Sequence, residues 1–413
     1  MQVIEWSQLA KINFEVPFGA GICFKLGMPN HPQLSLIEHF QNLPDPRVQR
    51  TKAHELIDVL TIAICTLLCA GESFNDMADF GLAKEAWFKT FLSLRNGIPS
   101  HDTFNRVFAA LDPQAFGECF MAWTQSLRTA VAQEIVALDG KALRRALAAD
   151  QNSKVIVSAW AQSNGLVLGQ LKVADKSNEI TALPKLLRAL ELSGCIVTVD
   201  AMGCQKHIAK EIQEADADYV LALKGNHEVV HAEVKSFLDA TLTEAAAARP
   251  AGGQPARAAT TLAKLETVEK DHGRQETRRY YQSGELDWFA DRAKWEGLKS
   301  VGLVEAEREV RGKVTVERRY YLSSLPVAVA TFAKAVRGHW AVENSLHWVL
   351  DVQMGEDDSR ARTGYAAENL ATLRRLALNL LKQEKTKKRG IRGKQLNASW
   401  DHAYLLRLLG VPI

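Results

Sequence analysis

Cysteine is scarce and unpatterned. Cys23, Cys65, Cys69, Cys119, Cys195 and Cys204 form neither a paired framework nor zinc-ribbon spacing, which argues against a disulfide scaffold and fits a reducing cytoplasm. A membrane-length apolar run is also missing. The longest, Val59 to Ala70, falls well short of the roughly 20 residues a spanning helix needs and reads as a buried helix, with Cys65 and Cys69 in the core. Residues 1–27 lack a basic start followed by an apolar block, so no signal peptide is expected, and Met28 is a conceivable alternative start. No charge of one sign dominates. A net charge of +3 says nothing about partners, which local clustering must identify.

The 413 residues suffice for two or three cores, and 47% hydrophobic with 24% charged residues is ordinary globular composition. From about Pro32 to Leu127 the periodicity is helical: His54 to Leu68, Ser73 to Leu82 and Lys84 to Leu94, then an interruption at Gly97-Ile-Pro-Ser100, then His101 to Leu111. Ser100 suits an N-cap, with Asp102 favourable in the first turn. The pair of helices fits a helix-turn-helix or a plain bundle, the commoner arrangement. Ahead of it, Leu43-Pro-Asp-Pro-Arg-Val-Gln-Arg-Thr-Lys52 is extended and basic, suited to lie along phosphates or to serve as a solvated connector.

Two short apolar runs end alike. Glu134-Ile-Val-Ala-Leu-Asp-Gly-Lys141 and Ile196-Val-Thr-Val-Asp-Ala201 each read as a buried strand delivering a carboxylate, Asp139 or Asp200, at its C-terminal end. On neighbouring strands the pair suits a divalent metal, since hard cations take oxygen ligands and a sheet fixes their spacing; each acid alone is equally suited to start a turn. Between them, Ser153 to Trp160 and Leu166 to Val173 form a hairpin signal around Asn164-Gly165. A loop at Lys176-Ser-Asn-Glu179, a helix from Ala182 to Leu192, a helix from Cys204 to Ala215 and a strand from Tyr219 to Leu223 complete a mixed α/β sheet.

Residues 228–247 look helical, Arg249-Pro-Ala-Gly-Gly-Gln-Pro255 is a flexible link, and Thr260 to Leu325 is rich in short strands, including Arg274 to Tyr281 and Val314 to Leu322. Arg274, Arg278, Arg279, Arg308, Arg311, Lys313, Arg318 and Arg319 mingle there with Tyr280, Tyr281, Tyr320 and Tyr321. Cations for phosphates beside aromatic faces for bases make a nucleic-acid groove; a solvated face of hairpins has the same composition. In the helical segment Ala333 to Val352, His339, Trp340, Glu343, His347 and Leu350 share one face. A carboxylate there needs a partner, either a salt bridge to Arg337 or a metal. With Asp139 and Asp200, Glu343 makes a three-carboxylate set of the kind that holds two ions about 3.5–4 Å apart for in-line phosphoryl transfer.

At this point the sequence resembles the DDE transposases of bacterial insertion sequences, in the branch that includes the H-repeat-associated proteins of Rhs elements. The resemblance lies in Leu43-Pro-Asp-Pro-Arg47 with Arg50-Thr-Lys-Ala-His54, Leu138-Asp-Gly-Lys141, Lys176-Ser-Asn-Glu-Ile180, Val199-Asp-Ala201, Leu223-Lys-Gly-Asn226, His272-Gly-Arg274 with Glu276-Thr-Arg278, and His339-Trp-x-x-Glu-Asn-Ser-Leu-His-Trp348 with Leu350-Asp351. It implies an RNase H-like mixed sheet with flanking helices, interrupted by a β-rich insertion and preceded by a helical domain. The partition it suggests is a poorly patterned extension over 1–31, a helical transposase-associated domain over 32–130, the catalytic core over 131–228 and 333–381, the insertion over 229–332, and a basic tail over 382–413.

Carried over by position, Asp139, Asp200 and Glu343 are the catalytic and metal-binding acids. They imply two Mg²⁺ ions, for which Mn²⁺ can substitute. The implied partners are double-stranded DNA, as transposon ends and as target, and a second copy of the chain in the synaptic complex; no membrane partner is implied, and the setting is cytoplasmic, on the nucleoid. Arg274, Arg278, Arg279, Arg337, His339, Lys224 and Trp288 are the candidate DNA contacts, with Trp288 and Trp295 able to stack on an extruded base or to fill the insertion core. Many related transposases place a Tyr and an Arg before the final Glu and a Lys after it; here those positions hold Val336, His339 and Leu350. His339 or Arg337 is then expected on a phosphate, and Asp351 and Glu356 are alternative third ligands. The expected activity is binding of terminal inverted repeats with metal-dependent strand cleavage and transfer. The alternatives are a domesticated or inactive copy that binds DNA without transposing, and a DNA-binding protein without catalysis.

Overall fold

A computed structural model describes residues 36, 39–48, 50, 52–143, 145, 154–173, 179–247, 262–271 and 274–410. The chain divides into two compact units, one of Met1–Arg128, Leu143–Lys154 and Trp348–Ile413, the other of Thr129–Ala142 and Val155–His347. This grouping differs from the linear partition, because residues beyond Trp348 join the unit of the first helices. Among the described residues no helix is long and apolar enough to cross a membrane.

The first unit opens with α1 (Leu56–Leu68), almost wholly buried, then α2 (Phe74–Ala83), where Ser73 and Asp76 form a reciprocal capping box. The helix expected over Lys84 to Leu94 is reduced to α3 (Glu85–Phe88). The cause is Asp58 of α1: its carboxylate accepts from the Leu94 amide at 3.1 Å and the Ser93 hydroxyl at 3.0 Å, pulling that backbone out of helical pairing. Ser100 caps α4 (His101–Ala110) as expected, accepting from the Thr103 amide, and Asp112 with Pro113 starts α5 (Pro113–Leu127).

The second unit is built on one nine-stranded mixed sheet. Its strands are β1 (Ile135–Leu143), β2 (Lys154–Ala161), β3 (Leu166–Lys172), β4 (Ile196–Val199), β5 (Asp218–Leu223), β6 (Ala263–Asp271), β7 (Arg274–Ser283), β8 (Ser300–Val310) and β9 (Lys313–Ser323), in the order β3-β2-β1-β4-β5-β9-β8-β7-β6. β1, β4 and β5 run parallel, as buried β-branched runs do, while β2 and β3 form the expected hairpin with Gly165 in the left-handed conformation at φ +63°. The four strands from the β-rich stretch extend this same sheet, because β9 pairs antiparallel with β5 from Val220↔Ser323 to Leu223↔Tyr320. The flanking helices are α6 (Glu179–Ala189), which starts three residues earlier than its apolar pattern predicts, α7 (Lys206–Glu214) and α8 (Glu228–Ala247).

α9 (Val329–Val342) lies on the sheet with Phe332, Ala335 and Val336 packed into a cluster with Ile135, Ile196, Val220 and Tyr321. Its approach is close at Gly338, where a Cβ would stand 2.3 Å from Gln162 Oε1 and 2.9 Å from Ile135 Cγ2. Beyond α9 the chain does not continue as the regular α-helix expected to Val352. It widens into π-helical turns at Glu343–His347 and Val349–Gln353, a feature that recurs at functional sites. The first unit then resumes with α10 (Ala366–Gln383), α11 (Ile391–Trp400) and α12 (His402–Leu409). Part of the basic run is internal here: Lys394 is 7% exposed and donates to the Leu381 carbonyl at 2.8 Å.

Candidate metal centre

The register of the parallel strands sets the two aspartates. Leu138 of β1 pairs with Val199 of β4, so Asp139 and Asp200, each one residue further on, stand at the same level of adjacent strands. Asp139 Oδ1 accepts from the Gly140 amide at 3.0 Å. Asp200 also does a turn's work, its Oδ1 accepting from the amides of Met202 at 3.1 Å and Gly203 at 3.2 Å, which fixes the carboxylate as β4 ends. Glu343 arrives from the end of α9. It does not pair with Arg337, which binds Glu269 at 2.9 Å instead.

Two further residues join these acids. Glu179, the first residue of α6, reaches over residue 140: a Cβ added to Gly140 would stand 2.2 Å from its Oε1, so only glycine leaves room for that carboxylate. His347, one turn past Glu343, brings Nδ1 to 3.2 Å from Glu343 Oε2 and 3.5 Å from Asp139 Oδ2. Asp139, Glu343 and His347 each offer one donor atom within 4.8 Å of the others, a spacing that could hold a metal ion. Burial pushes the Asp139 carboxyl up to about 7, and repulsion from Asp200, Glu179 and Glu343 adds to it. Burial and Asp200 likewise raise Glu179. Crowded, partly desolvated carboxylates with an imidazole beside them and a glycine-cleared space fit a divalent cation, whose charge relieves their repulsion.

The other candidates are distributed unevenly. Burial holds His339 down to about 4, and its Nδ1 lies 3.1 Å from Thr198 Oγ1, so it is neutral at ordinary pH and brings no cation to a phosphate. Glu356 belongs to the first unit, buried in an ion pair with Arg375 at 2.7 Å, and Asp351 lies in that unit too. Arg278 binds Glu276 at 2.6 Å and Glu269 at 2.9 Å; Arg279 binds Glu307 at 2.9 Å and Glu305 at 3.1 Å. Arg274 starts β7. Trp288 is half-buried, stacked on Phe237 at 4.5 Å and Phe289 at 5.4 Å, and Trp295 is 2% exposed.

Lys224 is exposed and lines a cavity of about 110 Å³ together with Asp200, His339, Trp340 and Arg319. The Arg319 guanidinium lies 4.2 Å from the centre of the Trp340 ring, which is 47% exposed. A wider groove of about 550 Å³ runs from Arg278, Arg308 and Arg337 past this stack to Glu343.

Sequence reasoning placed His347 on the face of Glu343 without giving it a role, and quoted Glu179 in a motif without placing it at the acids. The four-residue spacing to Glu343 was the signal for the first; nothing local marks the second, whose meaning comes from the missing Cβ of Gly140.

A sheet that presents carboxylates from adjacent parallel strands, with a third from a helix packed across it, defines the class within which the comparisons fall. The family described as "Transposase DDE domain" matches residues 132–380, and one described as "DDE_Tnp_1-associated" matches residues 37–124. The chain belongs to the DDE transposase family. It is 37% identical over 384 residues to the "H repeat-associated putative transposase YhhI" of Escherichia coli K12, covering 91% of this chain and 97% of that protein. It is equally 37% identical to the "Putative transposase YncI" of Escherichia coli O157:H7, covering 91% of this chain and 94% of that protein. Among solved structures it is similar to a piggyBac transposase synaptic complex with hairpin DNA, at 11% identity and a TM-score of 0.40, covering 91% of this chain and 76% of that one.

Proposed function

We propose that the protein binds the ends of its own mobile element and catalyses DNA strand cleavage and strand transfer, through attack of water and then of a DNA 3′-hydroxyl in line at phosphorus. The observation that carries this reading is that Asp139 and Asp200 stand level at the ends of adjacent parallel strands, with Glu343 brought beside Asp139. The order β3-β2-β1-β4-β5, a hairpin followed by parallel strands, supports an RNase H-like core. Asp139, Asp200 and Glu343 would hold two Mg²⁺ ions, which when bound supply positive charge for the attacking and leaving oxygens.

The chain's own residues do the rest. Asp139 and Asp200 are fixed by strand register and turn hydrogen bonds, so neither must be ordered when DNA arrives. Lys224 places a cation beside Asp200, where a backbone phosphate would sit, while Arg319, held by Glu317 at 2.7 Å, stacks on the exposed Trp340 ring, which offers a face to a base. His339 is half-buried, its imidazole held down to about 4 by desolvation, and orients against Thr198 rather than binding phosphate. Two element ends require two active sites, so a homodimer on DNA is part of the proposal. The setting is the cytoplasm, at the nucleoid.

The test is cleavage by the purified protein of DNA carrying its element's own ends, with Mg²⁺. Cutting is expected at the element boundary. Asp139→Asn and Asp200→Asn should bind the same DNA with unchanged affinity and cut it at least about 10³-fold more slowly, the scale on which removing an essential electrostatic group acts. Cleavage by both variants at the parental rate overturns the proposal.

A further inference from the structure

His347 is held too firmly, and in too particular a place, to be a bystander. Its side chain is 7% exposed and sits in the π-helical turn that begins at Glu343, so packing rather than solvent sets its orientation. The Nδ1 atom faces two carboxylate oxygens at once, at 3.2 Å from Glu343 and 3.5 Å from Asp139. Donors about 2.1 Å from a shared ion stand about 3.0 Å apart in an octahedron and about 3.4 Å in a tetrahedron, so both distances from Nδ1 already match those between ligands of one centre.

We propose that His347, through Nδ1, is a direct ligand of the ion held by Asp139 and Glu343. The site is then a mixed oxygen and nitrogen set, distinct from an all-carboxylate one. This inference rests on the reading that the acids bind a catalytic divalent ion, and it sharpens which ion. Imidazole adds little for Mg²⁺, which prefers oxygen and water, but is a good donor to Mn²⁺ and later first-row metals. The protein should therefore bind Mn²⁺ more tightly than Mg²⁺, and His347 should carry much of that difference. The competing arrangement is a protonated His347 that clasps the two carboxylates and withdraws when an ion enters.

The two are separated by electron spin-echo spectroscopy of Mn²⁺ added to the full-length, chelator-stripped protein without DNA. Ligation predicts ¹⁴N coupling in the bound Mn²⁺ signal. It predicts loss of that coupling in His347→Gln, with Mn²⁺ affinity lower by about tenfold or more and a reduced preference over Mg²⁺. Coupling should persist in His339→Gln. Labelling the unaltered protein with ¹⁵N-histidine must convert the coupling to ¹⁵N, a check that needs no substitution and so survives a variant that fails to fold. Mn²⁺ bound without nitrogen coupling, or coupling retained in a folded His347→Gln, overturns the ligand assignment and leaves the wider function intact. Absence of any Mn²⁺ or Mg²⁺ binding to the unaltered protein overturns both.

Discussion

The middle of the nine-stranded sheet and its far flank handle charge in opposite ways. At the ends of β1 and β4, four carboxylates gather, and burial together with their repulsion raises the Asp139 carboxyl. On β7 to β9 the charge density is as high, but cross-strand geometry alternates its sign: Arg279 of β7 meets Glu305 and Glu307 of β8, and Arg318 of β9 meets Glu305 at 2.7 Å. Opposed strands bring such partners together wherever the register permits, and most exposed pairs of this kind contribute little. The flank's arginines are largely spent on glutamates, whereas the acids at the middle are held in a configuration whose main use is to receive a cation. Charge left in conflict is the better guide to function here than charge in abundance.

The sharpest break in that comparison is at Gly140. Gly140→Ala puts a methyl group where the Glu179 carboxylate lies. That carboxylate ends a flexible side chain, so the fold should lose less than about 1 kcal/mol, while cleavage should fall by about 10²-fold, as misplacement of a group by an ångström does. Glu179→Gln should match it, and the double variant should be no worse than either; an additive loss would place Glu179 outside the acid group.

A smaller effect separates the cations. Lys224→Ala should weaken DNA binding by about tenfold at low salt and flatten the salt dependence, because Lys224 is exposed beside Asp200 at the end of β5. Arg279→Ala, already engaged by glutamates, should change affinity by less than about twofold. Equal losses in a filter-binding salt titration would mean that the flank binds DNA as strongly as the middle.

The last effect is thermodynamic. In metal-free protein, burial and the neighbouring carboxylates push the Asp139 carboxyl up to about 7 from its ordinary 3.8. Its contribution to stability is therefore complete below about pH 4 and lost as pH rises through about 7. Asp139→Asn cannot ionise, so its melting temperature should rise relative to the unaltered protein between pH 5 and pH 8. At about 1.4 kcal/mol per unit the gain is at most about 4 kcal/mol, and nearer 2 with solvent reaching 23% of the side chain. A difference that stays flat from pH 5 to pH 8 would show that the acids do not repel one another.

Much of this was legible in the chain because it is written in short-range pattern. Buried β-branched runs ending in an acid announced β1 and β4, Asn164-Gly165 announced the hairpin, and Ser100 its helix start. What was hidden depends on partners far away in sequence. The pairing of β9 with β5 makes the β-rich stretch part of the core sheet, yet no local signal specifies it. Asp58 holds the Leu94 amide 36 residues further on, in a stretch whose own pattern reads as helix. The flank arginines looked free for phosphate because their glutamates lie on neighbouring strands. The shared face of His339, Glu343 and His347 suggested an unbroken α-helix to Val352, and nothing local announced the π-helical turns that begin at Glu343.

The pairing of β9 with β5 has a consequence for the acids. α9, which leads directly into Glu343, follows β9 in the chain and packs against a cluster to which β7, β8 and β9 contribute Tyr280, Val304 and Tyr321. The aspartates need only β1 and β4, whereas the seat of the glutamate is shared between the parallel strands and the four strands that β9 joins to them, so damage to the far flank reaches the third acid before the first two.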